Sequence, residues 1–311
     1  MINSTNSKGQ NLQNDRVASP LVAICSKGSE FLKLVLRTPT GRIGLPIVLI
    51  HAVIAIFGSW LAPYSDTLFH LDEEGNMRQL LSPSWKFLLG TDQFGRDILS
   101  RVMSGSTSLV AVAGSGTILG ILGGSAIGMG SGYVGKWTDE ILMRVMDGLM
   151  SFPSLLMALL VISTLGPNAI FIVATVAIVT IPGVARVMRS ATLSLKEQEF
   201  VQSARLRGEG AIYIIFREIF PNTLSIIAVE LSVRLSYSIL IVASLGFLGL
   251  GVQPPSPDWG LMISQSRQFL GSAPWVALAP AGAVASLVVG INLLTDGIRQ
   301  AKGLPQEEMP S

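Results

Sequence analysis

Residues 169–188 read AIFIVATVAIVTIPGVARVM, a run in which the only charged side chain is Arg186. Its length matches the ~20 apolar residues that an α-helix needs to cross the ~30 Å hydrocarbon core of a bilayer. Five further runs approach or exceed this length, at about 43–62, 107–131, 149–165, 223–250 and 275–295. Because a segment in lipid must satisfy its own backbone hydrogen bonds, each run is expected to be helical. The sequence thus predicts an all-α polytopic membrane protein with six transmembrane helices.

The composition supports this class. The chain has 311 residues, of which 49% are hydrophobic and 14% charged, and its mean hydropathy is +0.55. These values are too apolar for a soluble domain of this size. We therefore expect a lipid bilayer as its solvent and no nucleic-acid partner. The many glycines and alanines between Gly114 and Gly130 favour close approach of helices.

The basic residues indicate an orientation. With a cytoplasmic N-terminus, sixteen Lys and Arg residues fall on the cytoplasmic side and five on the opposite side, while Arg234 lies within a span. Since cytoplasmic loops are enriched in basic residues, this bias predicts that both termini are cytoplasmic.

The chain divides into four parts. Residues 1–42 are polar at their start and lack an apolar segment of signal-peptide length, so they are expected to form a cytoplasmic tail. Residues 43–106 hold the first span and an extracytoplasmic segment. Residues 107–297 form the core domain with a cytoplasmic loop at 189–221, and residues 298–311 form a second cytoplasmic tail.

Chemistry-bearing motifs are absent from the sequence. It has no Gly-x-x-x-x-Gly-Lys-Ser, Gly-x-Ser-x-Gly or His-Glu-x-x-His pattern. Its one cysteine, Cys25, and two histidines, His51 and His70, form no metal-ligand cluster. For His51, in the first span, a helix-packing hydrogen bond is favoured over a role in transport. We therefore predict that the chain is not an enzyme and holds no cofactor or metal, so that any ATP is bound by another chain.

A charged excursion separates two of the apolar runs. Residues 199–208 read EFVQSARLRG, and Pro221-Asn222 follows thirteen residues after the glycine. This pattern predicts a short helix, a break at Gly208 with positive φ, and a return into the membrane with Pro221 in the first helical turn. The alternative is a plain solvated turn.

The excursion resembles the "EAA" loop by which permeases of ABC importers dock onto their ATPases. Small side chains would let the helix lie close in a groove, and the arginines would reach acidic groups on the rim of that groove. The residues assigned to this coupling are Glu199, Ser203, Ala204, Arg205, Arg207, Gly208 and Pro221.

A second motif, LGTDQFGRDILSR, occupies residues 89–101. Thr91 and Asp92 suit a helix start, and Asp97 and Arg101 have the spacing of an ion pair. The motif predicts an amphipathic helix on the outer interface, separate from the second span. A capped connector without substrate contact is the alternative.

This motif is similar to a hallmark of the second permease subunit of dipeptide, oligopeptide and nickel ABC importers. The residues that carry the likeness are Gly90, Thr91, Asp92, Gly95, Arg96 and Asp97. Further matches lie at 139–147, 152–156, 247–255, 258–260, 273–275 and 292–297. The resemblance covers roughly residues 40–300. Thr107, Val242 and Arg234 depart from the usual family pattern.

The resemblance implies a type I ABC importer permease in the inner membrane of a prokaryote. It would pair with a homologous permease, two ATPases and an extracytoplasmic solute-binding protein. Peptides are the default cargo, with nickel chelates, glutathione or another non-peptide solute as alternatives. An ion-coupled secondary transporter is a further alternative, but it would use intramembrane ionisable residues and commonly inverted repeats.

Glu230 and Arg234 are the two charged residues deep within a span, and they are spaced i, i+4. Two interpretations stay open at this point. The residues form a structural ion pair that orients the helix, or they line the translocation pathway.

Overall fold

A computed structural model describes residues 35–301. The predictions for most of the N-terminal tail, including Cys25, and for residues 302–311 lie outside the described residues. The described chain is helical, with these helices in order: α1 Pro39–Leu61, α2 Ile98–Val134, α3 Lys136–Met150, α4 Ser154–Leu165, α5 Ala169–Leu195, α6 Glu199–Leu206, α7 Ala211–Phe247, α8 Trp259–Ser266 and α9 Trp275–Ala301.

Five of these helices are long and apolar enough to cross a membrane, namely α1, α2, α5, α7 and α9. The predicted third span at 149–165 is not one straight helix. Helices α3 and α4 meet at an angle of 85° around Pro153, and the α4 segment alone has 12 residues. That is about 18 Å of helix, too short for a bilayer. Proline lacks an N–H donor and restricts the residue before it, which explains the break. The pair counts as a sixth span only as a bent unit.

The predicted interfacial helix near 91–103 is also wrong as a separate element. Helix α2 runs unbroken for 37 residues from Ile98, because no proline interrupts it and the carboxylate of Asp97 caps its first turn by accepting from the Ser100 N–H at 2.8 Å. The predicted Asp97–Arg101 ion pair does not form. The Arg101 guanidinium instead lies 3.6 Å from Asp92.

Helices α2 and α5 form the most extensive pair in the described chain. Glycines repeat every four residues along the face of α2 that meets α5, at positions 116, 120, 124, 128 and 132. At Gly128 a Cβ atom would overlap the Ala185 carbonyl oxygen and lie 2.8 Å from the Met188 Cβ. The backbones thus approach closely enough to exclude side chains, which is how small residues strengthen helix contact in membranes.

Helices α1 and α9 form a second close pair at the edge of the core. His51 of α1 lies 2.9 Å from the Ser286 hydroxyl of α9, and its ring packs edge-on against Trp259. The expected helix-packing hydrogen bond of His51 is therefore present.

Helix α7 begins ten residues earlier than Pro221. Its segment Ile214–Ile219 is a π-helix, and Pro221 follows in the first turn of the regular α-helix. A proline removes a backbone donor, and a local widening of the helix is a common way to accommodate the loss. The prediction for Pro221 thus holds for the regular α-helix, but the chain turns helical again at Ala211.

Candidate functional site

The segment between α5 and α7 is the first candidate site. Helix α6 occupies eight residues of it, as the sequence predicts, and Glu199 is its exposed first residue. Val201 and Ala204 are fully buried in a cluster with Met188, Ile214 and Ile219. One face of α6 is therefore fixed onto the ends of α5 and α7, and the opposite face is presented outward.

Gly208 ends α6 in a Schellman motif. The Glu209 N–H donates to the Ala204 carbonyl at 3.2 Å, and the Gly208 N–H donates to that of Arg205 at 2.9 Å. Gly208 has φ of +79°, a conformation that costs a residue with a side chain ~1 kcal/mol or more. The predicted break at this glycine is confirmed.

The structure corrects the expected outward role of Ala204. Its exposure is 0%, so its small side chain serves contact with α5 and α7 of the same chain. Ser203 is exposed on the outward face. The two arginines have contacts within the chain: Arg205 stacks 4.9 Å from the Tyr133 ring, and Arg207 lies 3.6 Å from Glu218.

One residue of the outward face escaped the sequence reasoning. Leu206 is 90% exposed and stands between the two arginines. The helical periodicity of the sequence predicts its exposure, because position 206 lies opposite Val201 and Ala204 on a helix of 3.6 residues per turn. Ile212 and Phe216 of α7 are also exposed, one helical turn apart. Exposed apolar side chains that lie together in a patch mark contact sites, whereas single ones are ordinary at a protein surface.

An ion pair and a hydrogen bond fix the base of this segment. Arg189 near the end of α5 donates from two nitrogens to the carboxylate of Asp139 on α3, at 2.5 Å each. The Lys196 ammonium donates to the Gly132 carbonyl of α2 at 3.2 Å. A force on α6 would therefore be transmitted to α2, α3 and α5 together.

The motif at residues 89–101 folds onto itself through local hydrogen bonds rather than forming an exposed binding surface. Asp92 is buried and accepts from the Phe94 and Arg96 N–H groups at 2.8 and 2.9 Å and from the Arg96 guanidinium at 2.7 Å. Thr91 is fully buried and pairs with Asp97 in an antiparallel bridge. Gly90 and Gly95 take positive φ at its turns. This motif therefore secures the start of α2.

A buried carboxylate closes the loop between α7 and α8. Asp258 caps α8 by accepting from the Leu261 N–H at 2.8 Å, and it packs against Gly246 and Gly251. Burial raises the pKa of Asp258, while backbone hydrogen bonds from Leu261, Val252 and Gly260 lower it. The prolines of this loop are thus held to the end of α7 through one side chain.

The second candidate site is a cavity between α4, α5 and α7. It has a volume of about 380 Å³ and is lined by Ser154, Thr180, Arg234, Tyr237 and Ser244 among others. A smaller adjoining cavity of about 110 Å³ shares Ser154 and Arg234 with it.

The predicted i, i+4 pair is present at this cavity. The Arg234 Nε donates to the Glu230 carboxylate at 3.0 Å, and the side chains are 28% and 13% exposed respectively. The two interpretations left open by the sequence are thus compatible, because Glu230 supports the arginine whose guanidinium reaches the cavity.

A family model described as "Binding-protein-dependent transport system inner membrane component" matches residues 116–301. This range contains α6, Gly208, Glu230 and Arg234, which are the residues of both candidate sites.

Curated relatives extend the similarity over most of the chain. It is 37% identical over 272 residues to the dipeptide transport system permease protein DppC of Alkalihalophilus pseudofirmus, covering 88% of each chain. It is 40% identical over 255 residues to the glutathione transport system permease protein GsiD of Escherichia coli, covering 82% of each. The di/tripeptide permease DppC of Pseudomonas aeruginosa is 33% identical over 296 residues, with 93% of this chain and 96% of the relative covered. The chain therefore belongs to the inner membrane components of binding-protein-dependent transport systems, and it is a transmembrane permease subunit of an ABC importer.

Proposed function

We propose that this permease imports peptides or similar small solutes and that α6 couples transport to ATP hydrolysis on separate subunits. The observation that carries the coupling is the outward face of α6, where Leu206 is 90% exposed beside Ser203 while the opposite face is fully buried. A short amphipathic helix of this kind suits a groove on a partner. Two ATPase subunits, a homologous permease and an extracytoplasmic solute-binding protein complete the complex.

Coupling requires that ATP binding favours one of two conformations of the permease pair. The ATPases supply that free energy only through contacts that differ between the inward-facing and outward-facing states. The buried face of α6 and the Asp139–Arg189 ion pair support transmission of its motion to α2, α3 and α5.

The names of the relatives support the proposed cargo. Two of them are named for dipeptide or di/tripeptide transport and one for glutathione transport. Glutathione is itself a tripeptide, so a small peptide with free carboxylates fits every name. Nickel chelates and other non-peptide solutes stay as alternatives.

The charge bias supports the proposed location and orientation. We propose the inner membrane of a prokaryote, with both termini and α6 in the cytoplasm, where ATP is available. Segment 63–97 then faces the extracytoplasmic side and the binding protein.

A cysteine-labelling experiment tests both the orientation and the docking. In a Cys25→Ser background, Glu74→Cys should react with a membrane-impermeant maleimide in intact cells, because Glu74 is exposed in the extracytoplasmic segment. Ser203→Cys should react only after permeabilisation, and a short thiol cross-linker should join it to an ATPase subunit.

The two cysteines control for each other, since both side chains are exposed. Labelling of Ser203→Cys in sealed cells would overturn the orientation. If Ser203→Cys is accessible but never cross-links to an ATPase in cells that actively import cargo, α6 does not have the proposed docking role.

A further inference from the structure

The Arg234 guanidinium lines the cavity between α4, α5 and α7. Its ion pair with Glu230 uses only one of its three nitrogens. Glu230 contacts Nε of Arg234, and within residues 35–301 neither terminal nitrogen of this arginine donates a hydrogen bond. Both cavities at this site include Arg234 in their lining. The donors that a planar guanidinium offers to a carboxylate in bidentate geometry are thus free.

A charged side chain deep in a membrane is energetically costly, so its presence there indicates a function. Arg234 lies 11 residues from the start of the apolar run 223–250 and 16 residues from its end, which is about 16 and 24 Å at 1.5 Å per residue. Between their charged ends, the spanning helices of the described chain carry Glu230 and Arg234 as their Asp, Glu, Lys or Arg side chains. An intramembrane arginine that faces a cavity is typical of a substrate pathway.

Helix α5 is shaped to admit the guanidinium. A Cβ atom at Gly183 would lie 2.6 to 2.7 Å from the terminal nitrogens and Cζ of Arg234, so the group rests directly on the backbone beside Pro182. Any side chain at position 183 would push the guanidinium away. Since the displaced atoms are the far end of a flexible side chain, a substitution there should move Arg234 without unfolding the helix pair.

Hydroxyl groups complete the lining. Ser154, Thr180, Tyr237 and Ser244 line the same cavity. The first three hydroxyls can donate to an oxygen or accept from an amine, whereas the Ser244 hydroxyl donates to the Leu240 carbonyl at 2.7 Å and keeps only its acceptor capacity. A volume of about 380 Å³ is within the range of small-molecule sites.

We propose that Arg234 binds a carboxylate of the cargo as it passes the middle of the membrane, and that Glu230 and Gly183 position the guanidinium for this contact. The site therefore selects solutes that carry a free carboxylate, such as a peptide with an unmodified C-terminus. This inference rests on the proposed function as an importer of peptides or similar solutes.

The test compares uptake of radiolabelled trialanine with uptake of its C-terminal amide by the complete transporter in cells. The solute-binding protein has its own preference, but that preference is the same for every permease variant. The change in the acid-to-amide uptake ratio on mutation therefore reports Arg234 alone. Arg234→Gln and Gly183→Ala should each lower uptake of the acid about tenfold, the usual cost of losing a hydrogen bond to a charged group, and leave the amide within about twofold.

Two further variants separate recognition from structure. The exchange Glu230→Arg with Arg234→Glu restores an i, i+4 ion pair, so it should rescue assembly but not uptake of the acid. Arg144→Gln breaks the exposed Glu140–Arg144 pair, which has the same spacing outside the cavity, and should leave the acid-to-amide ratio unchanged.

Equal losses for both probes, or full rescue of acid uptake by the charge exchange, would overturn the role of Arg234 while leaving the proposed function intact. A wild-type transporter that imports neither probe would overturn the peptide cargo and this inference with it.

Discussion

Replacing Gly128 by leucine should remove most of the folded protein from the membrane. A leucine at this position must place its Cβ against the Ala185 carbonyl and within 2.9 Å of the Arg189 backbone nitrogen. These are backbone atoms of α5, so no change of side-chain rotamer relieves the overlap. Overpacking a well-packed core costs about 1–3 kcal/mol, and a forced separation of two backbones costs more. Since a protein of marginal stability tolerates few such losses, we expect detergent-extracted, monodisperse protein to fall at least ~10-fold.

Gly130→Leu is the matched control. Gly130 lies on the same helix, two residues away, and a Cβ there would meet no atom within 4 Å. This variant should reach the wild-type level, because leucine is a better helix former than glycine. Gly128→Leu protein with wild-type yield and elution profile would contradict the close α2–α5 contact.

Replacing Gly208 by aspartate should uncouple the permease while leaving it folded. A side chain at Gly208 meets open space, so the expected penalty comes from φ of +79°, at about 1–2 kcal/mol. That strain loosens the Schellman end of α6 and changes the angle at which Leu206 is presented. Insertion and pairing with the partner permease should persist, but cargo uptake should fall at least ~10-fold because the ATPases are bound weakly or hydrolyse ATP without transport.

Gly210→Asp provides the control for Gly208→Asp. It introduces the same charge into the same loop at a position with open space and φ of −73°. Uptake should stay near wild type. If the Gly208→Asp complex kept both wild-type ATPase stoichiometry and wild-type uptake, Gly208 would have no role in coupling.

The contrast between these glycines shows what the sequence can predict. Gly208 was foreseen because a helix end is a local event, set by a few residues around a glycine. The glycines between 114 and 130 indicated close helix contact, yet the sequence does not say that Gly128 meets Ala185 while Gly130 meets nothing. The choice of partner helix depends on the assembled bundle.

The helix boundaries were also predicted only in part. Within the described residues, the apolar runs located the five long spanning helices, since the thickness of the bilayer fixes their length. The 85° bend at Pro153 and the continuity of α2 through residues 98–134 were missed. Both have local causes, Pro153 at the bend and the Asp97 cap of a helix without an internal proline, and hydropathy does not record them.

The candidate sites were predicted in part. The Glu230–Arg234 pair follows from i, i+4 spacing alone, whereas the contact of Arg234 with Gly183 joins two helices and needed coordinates. Likewise Ala204 was expected on the outer face of α6, but its side chain packs inward and Leu206 takes the exposed position.

The source of energy tests the account most directly. The complete complex is reconstituted into vesicles, with the solute-binding protein and trialanine on the extracytoplasmic side. The vesicles should accumulate the peptide only when Mg-ATP is present on the side of the membrane that carries α6. A protonophore should leave the initial rate unchanged. Accumulation driven by an imposed proton gradient without ATP would contradict the claim that this permease works through ATPases docked at α6.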